Sequence, residues 1–218
     1  MTIHYQNTYW LGKKVLIGKD ELDPSQPVNL LLGFHGADST PENLLVHGNK
    51  LKIENTMLIY PEGPLDAGEG LFSWWQDGPR QKESVIQFLD YTGKVVDEAH
   101  QYLQQELDNA TIQTCLWGFS QGGAASLVYT LFGRHPIHKV ASICGFLPDL
   151  PENKDPASQK SSILGIYGKN DDIVPSFLAD YALDVMKDMG HDLIVKGTEQ
   201  GHEIKSENIH DLTAFFKS

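Results

Sequence analysis

Leu116-Trp117-Gly118-Phe119-Ser120-Gln121-Gly122-Gly123 joins two runs of different character. The residues before it, Thr111 to Leu116, are apolar and β-branched enough for a buried strand. Those after it, Ala124-Ala125-Ser126-Leu127-Val128-Tyr129, read as a helix. A strand, then Gly-x-Ser-x-Gly, then a helix is the pattern of a nucleophile elbow. The spacing has a steric reason: a serine on so sharp a turn is strained, and side chains two residues to either side would collide with the turn. Glycine at 118 and 122 removes the collision and leaves the Ser120 hydroxyl exposed above the sheet. The following helix directs N–H groups and a positive dipole end at any oxyanion formed there. With 20 glycines in 218 residues, the five-residue pattern arises by chance in roughly one such chain in ten, so context must support it.

Outward from the elbow, strands and helices alternate. Thr8 to Ile17 reads as an edge strand or hairpin turning near Gly12, and Asp23-Pro24-Ser25-Gln26-Pro27 as a turn. Val28 to Phe34 and Thr56 to Pro61 are almost continuously apolar, as strands covered on both faces should be. Thr40-Pro41 caps and opens a helix. Pro61 to Glu83, with four glycines, three prolines and Phe72, Trp74 and Trp75, reads as one long loop. Apolar residues from Val85 to Leu107 recur at helical spacing, with Ser84 as cap and Gly93 as a weak point. The elbow helix should run to Phe132 and stop at Gly133. Strands are expected over Lys139 to Gly145, Ser162 to Tyr167 and Asp192 to Lys196, a loop over Phe146 to Lys160, and helices over Pro175 to Met189 and Glu207 to Phe216. Apolar strands alternating with helices imply a mostly parallel central sheet with helices on both faces, in one domain over residues 1–218.

Bulk properties narrow the function. A net charge of −12 opposes nucleic-acid and anionic-membrane partners. No apolar run has the length of a membrane span, and Met1 to Gln6 lacks the features of a secretory leader. Cys115 and Cys144 lie in apolar strand-like runs, which suggests free buried thiols and a cytoplasmic setting. No C-x-x-C or H-E-x-x-H motif is present, so neither a metal nor a cofactor is expected.

In such a sheet, functional groups collect on loops at the carboxyl ends of strands. Three of these loops carry Ser120, Asp171 and His202, in the chain order expected after an elbow. A serine hydroxyl needs a base to take its proton. His202, flanked by Gly201 after the last strand, is the candidate. His35 is its rival at the same edge, although its place before Gly36-Ala37 better suits an oxyanion loop. Asp171 is the candidate acid for orienting the imidazole, with Asp172 as its neighbouring competitor. The backbone N–H groups of Ala37 and Gln121 are the candidate oxyanion donors. Phe72, Trp74, Trp75 and His35 are candidate substrate-contacting residues, with the alternative that the two tryptophans merely plug their loop onto the body.

Gly118-Phe119-Ser120-Gln121-Gly122-Gly123, His35-Gly36, Ser73-Trp74-Trp75, Gly168-Lys169-Asn170-Asp171-Asp172-Ile173-Val174-Pro175 and Gly201-His202-Glu203-Ile204 together resemble the phospholipase/carboxylesterase family of α/β-hydrolases, which includes the acyl-protein thioesterases. The resemblance spans nearly the whole chain. It implies the α/β-hydrolase fold and cofactor-free hydrolysis of esters or thioesters through an acyl-enzyme on serine, with the tryptophan-bearing loop lining the acyl site. Three residues depart from the family's pattern. Asp38 stands where a second glycine of the oxyanion loop is common, which would alter that loop's shape. Tyr167 replaces a histidine, and Trp117 replaces a small residue and would narrow the elbow's surroundings. The departures turn the expectation from lipid or lipidated-protein substrates toward a small or medium acyl ester. The alternatives are a thioesterase or lysophospholipase-type hydrolase, an acyltransferase, or a catalytically silent binding module on the same scaffold. The expected partner is a small-molecule ester or thioester, and a homodimer is left open.

Overall fold

The computed structural model describes residues 3–152 and 154–218. Met1 and Thr2, on which the leader reading partly rests, and Asn153 of the loop expected over 146–160 lie outside the described residues. A β-hairpin, β1 (His4–Trp10) and β2 (Lys13–Lys19), forms one edge of the sheet and turns through Leu11 and Gly12, both left-handed. Then follow β3 (Val28–Phe34), α1 (Pro41–Gly48), β4 (Thr56–Pro61), the small pair β5 (Leu65–Gly68) and β6 (Leu71–Ser73), and α2 (Gln81–Glu106). After β7 (Ile112–Phe119) and α3 (Gln121–Phe132) come β8 (Lys139–Ile143), β9 (Ser162–Gly168), α4 (Ser176–Asp188), β10 (Asp192–Thr198) and α5 (Ser206–Lys217).

The main sheet has eight strands in the order β1-β2-β4-β3-β7-β8-β9-β10. The first two pairings are antiparallel, and every pairing from β4 to β10 is parallel. The alternation of side chains across each strand explains why both faces need a helical cover. Leu30, Leu32, Leu116 and Val140 point to the face under α2, α3 and α4. Leu31, Leu58, Cys115 and Ala141 point to the face under α1 and α5. The parallel register then brings strand ends together: Phe34 pairs with Gly118, Phe119 with Ile143, and Gly168 with Thr198.

Three expectations are corrected. The segment from Pro61 to Glu83 is not one unbroken loop, since β5 and β6 pair antiparallel across the left-handed residues Glu69 and Gly70. Helix α2 begins at Gln81, not Ser84, because the turn at Gly78-Pro79 already directs the Gln81 N–H to Gly78 O. Ser84 therefore sits inside the first turn, its hydroxyl donating to Gln81 O at 2.9 Å, and caps nothing. The final strand runs two residues beyond its expected end, to Thr198. Among the described residues, no helix is long and apolar enough to cross a membrane, and Cys115 and Cys144 are free and buried.

Candidate active site

Ser120 occupies the junction of β7 and α3 with φ 57° and ψ −123°, a backbone conformation disfavoured for a residue with a side chain. The glycines around it are sterically required. A Cβ on Gly118 would fall 2.8 Å from Gly123 N and closer still to Gly122 O. A Cβ on Gly122 would meet not the turn itself but the end of β3, 2.5 Å from the Phe34 carbonyl carbon and nearer to its oxygen. The elbow is thus wedged against the strand that leads into Ala37. The Ser120 N–H is fixed by Ile143 O at 2.9 Å.

The loop after β10 brings His202 over the elbow. Its Nε2 lies 2.9 Å from Ser120 Oγ, and its Nδ1 lies 2.8 Å from Asp171 Oδ2. Asp171 follows β9 and is buried, while Asp172 beside it is exposed. Burial alone would raise the Asp171 carboxyl's pKa. Hydrogen bonds from His202 and from the N–H groups of Val174 (2.8 Å) and Ile173 (3.0 Å) outweigh that and hold it below the usual carboxylate range. The Phe119 ring packs against the His202 imidazole at 4.8 Å between centroids.

Cys144, at the end of β8, also belongs to this neighbourhood. Its sulfur, a carboxylate oxygen of Asp171 and a ring nitrogen of His202 lie within 4.8 Å of one another, close enough for a metal ion. The chemistry does not favour one. Burial, followed by the Asp171 charge, pushes the Cys144 thiol up to about 12, and both ring nitrogens of His202 are already engaged, by Asp171 and by Ser120. Asp171 Oδ2 is already committed to His202.

His35, the rival base, has a different role. Its ring is 1% exposed. Nε2 accepts from Gly63 N–H at 3.1 Å, so the proton sits on Nδ1, 2.7 Å from Gly36 O. Burial drives its pKa down to about 4. A neutral imidazole with both ring nitrogens hydrogen-bonded braces the loop through Ala37 and does not line the cleft beside Ser120.

The two tryptophans also depart from expectation, and the plugging alternative describes them. Trp74 and Trp75 are each 1% exposed and pack edge-on to Phe88 of α2. Trp74 Nε1 donates to His35 O at 2.7 Å, and its ring lies against the His35 ring. Neither lines the cleft beside Ser120, and neither does Phe72, which pairs through its backbone with Ser39. Trp117 is likewise fully buried, against Tyr60 on the α1 and α5 face, and narrows nothing near the elbow. Sequence reading missed what fixes the tryptophan loop. The Gln121 side chain accepts from Trp74 N–H at 2.9 Å and donates to Trp75 O at 3.1 Å. Asp38 adopts a left-handed φ of 47°. Its N–H donates to Ser73 Oγ at 2.9 Å, and the Ser73 hydroxyl lies 2.9 Å from its carboxylate.

The cleft over Ser120 holds about 700 Å³ and runs between the loop from Gly36 to Ser39 with α1 on one side and the His202 loop on the other. Leu44 and His47 of α1, Ile173 after Asp171, and Ile204 after His202 supply its walls. Ile173 is 67% exposed at the rim. No motif pointed to Leu44 or His47; the helical spacing of α1 was the only available signal.

An α/β sheet with a serine, a histidine and an aspartate assembled at its carboxyl edge defines the class of α/β-hydrolases. The sequence profile of the phospholipase/carboxylesterase family matches residues 21–218, and the chain belongs to that family. It is accordingly a carboxylesterase-type serine hydrolase. Its fold is similar to that of the Bacillus cereus carboxylesterase (TM-score 0.76, 16% identity, covering 94% of each chain). It is also similar to Arabidopsis thaliana SOBER1 (0.70, 20%, 87% of this chain and 97% of that one). Esterase PE8 is a third similar structure (0.67, 22%, 89% and 94%).

Proposed function

We propose that this chain hydrolyses small or medium acyl esters through an acyl-enzyme on Ser120, with His202 as base and acid and Asp171 as its orienting partner. One observation carries the reading: the continuous hydrogen-bond line from Ser120 Oγ through His202 to Asp171, with spacings of 2.9 and 2.8 Å. As the Ser120 oxygen bonds to the acyl carbon, its proton passes to His202 Nε2. The negative charge moves onto the former carbonyl oxygen, which the N–H groups of Ala37 and Gln121 receive. Asp171 stabilises the imidazolium. Collapse expels the alcohol, which takes the proton from His202. Water then adds to the acyl carbon by the same route, and the acid leaves as Ser120 regains its proton.

Acyl size follows from the walls. Trp74 and Trp75 pack in the core, so the acyl group has the open cleft with Leu44, Ile173 and Ile204 for apolar contact. Residues 1–218 work as one catalytic domain in this reading, supported by the unbroken eight-stranded sheet. The two free, buried thiols suit a reducing, cytoplasmic setting.

The test is hydrolysis of p-nitrophenyl butyrate, with fluorophosphonate labelling alongside it. Ser120→Ala should abolish labelling and reduce turnover by several orders of magnitude, on the scale known for such nucleophiles. A folded Ser120→Ala protein with undiminished turnover would reject the assignment.

A further inference from the structure

The cleft beside Ser120 has an acidic side chain on each wall, and no lysine or arginine lines it among the described residues. Asp38 stands on the oxyanion-loop side and Glu203, next to His202, on the other. The Asp38 carboxylate is fixed in place by the Ser73 hydroxyl, and the left-handed backbone at Asp38 leaves that arrangement little freedom. Glu203 has Lys205 Nζ at 3.3 Å, but their side chains are 54% and 43% exposed, so water screens the pair. His47 brings no compensating charge near neutral pH, since burial and then Lys50 lower its pKa. The whole chain carries a net charge of −12. The negative potential at the cleft is therefore both local and general.

We propose that Asp38 and Glu203 make the cleft selective by charge, favouring esters with neutral or cationic groups near the scissile bond and rejecting anionic ones. This inference rests on the reading of Ser120 as the nucleophile. A substrate charge some 7 Å from a carboxylate in a half-hydrated cleft feels about a threefold change in binding per carboxylate. Two such carboxylates favour a cation and disfavour an anion by about ninefold each against a neutral ester, roughly eightyfold between them, and residual ionic screening still leaves at least about tenfold. Phosphate-bearing lipids and coenzyme A thioesters then fall on the disfavoured side, and amino-alcohol or uncharged esters on the favoured side.

The experiment uses three butyrate esters of similar size: butyrylcholine, its neutral isostere 3,3-dimethylbutyl butyrate, and anionic 2-sulfoethyl butyrate. Each kcat/KM is divided by the ester's rate of hydroxide hydrolysis, which removes leaving-group reactivity. At about 10 mM ionic strength the corrected values should fall in the order cation, neutral, anion, spanning at least about tenfold. About 1 M NaCl should compress that span, because it shortens the screening length to about 3 Å. In Asp38→Asn/Glu203→Gln the span should shrink at least threefold, each value read against the neutral ester in the same variant. This change moves the net charge only from −12 to −10, so general attraction toward the protein is nearly preserved. If Asp38→Asn does not fold, Glu203→Gln alone, at an exposed position, should still shrink the span by about half of that effect. A wild-type span within twofold of unity, or one unaltered in the folded variants, overturns the inference while leaving the esterase reading intact. No hydrolysis of any of the three esters by the folded protein overturns both.

Discussion

Gly122→Ala offers a direct test of how the elbow is built. In the first turn of an ordinary helix, replacing glycine by alanine stabilises by up to about 1 kcal/mol. Here the sign should reverse. The new Cβ would stand 2.5 Å from the Phe34 carbonyl carbon and nearer to its oxygen, where contacts under 3.0 Å essentially never occur. Those atoms are backbone at the end of a strand buried on both faces, and no flexible side chain can swing away. To clear the oxygen, α3 and β3 must part by roughly 1 Å. Overpacking of this kind costs about 1–3 kcal/mol. The same movement separates the Gln121 N–H, on α3, from the Ala37 N–H, on the loop leaving β3. A misplacement of about 1 Å at reacting groups costs on the order of 100-fold in rate. The assay is denaturant unfolding together with kcat on p-nitrophenyl butyrate, measured only where the variant is folded. Gly201→Ala is the control: it adjoins His202, but its added Cβ would meet only Asn170 O at 3.6 Å, so its kcat should stay within a few-fold of wild type. A Gly122→Ala protein as stable as wild type, with kcat within threefold, would refute the steric account.

Asp171→Asn should lower kcat on the order of 10⁴-fold and slow fluorophosphonate labelling of Ser120 in parallel, and a loss under tenfold would remove Asp171 from its assigned role. His35 should make stability depend on pH. It is buried and neutral, with its pKa lowered from 6.5 to about 4, so between those values the unfolded chain binds the extra proton. Stability therefore rises with pH across that window and is lost as pH falls from 6.5 toward 4, by about 3 kcal/mol in all. Denaturant midpoints at pH 7 and 5 should differ in the wild type, and the difference should shrink in a folded His35→Gln variant, leaving the part that burial of His47, His100 and His191 contributes. Trp74→Phe removes the donor to His35 O and part of a fully buried ring, and should cost about 2–4 kcal/mol in unfolding free energy. It should leave the ratio of butyrate to acetate hydrolysis unchanged, whereas a shifted chain-length preference would return Trp74 to the acyl site.

The fold was legible because its signals are local. Val28 to Phe34 and Ser162 to Tyr167 are continuous apolar runs bounded by turn residues, and a buried parallel strand needs nothing more. Ser120, Asp171 and His202 stood out for the same reason: each sits just past a strand end, where an α/β sheet presents its loops. Trp74 and Trp75 show where locality fails. Two large aromatics in a glycine-rich loop can face a ligand or the core, and the choice is made by Gln121, 46 and 47 residues away in sequence, whose amide holds their backbone. The cleft walls were hidden for a related reason. Whether Leu44 and His47 face solvent or Ser120 depends on how α1 lies across β3 and β4, and no local pattern encodes that. The start of α2 lies four residues before the one its capping hydroxyl suggests: Ser84 offers a cap, while the actual first turn is set by Gly78-Pro79, follows Arg80 and lacks a side-chain cap.

Helix α3 has no outward face: every residue from Gln121 to Phe132 is buried. A segment enclosed on all sides cannot fray by itself, so the mounting of Ser120 should come apart only when the layers around it do. Esterase activity and far-UV ellipticity should then vanish at one and the same urea concentration, leaving no span in which the molecule is intact yet inert.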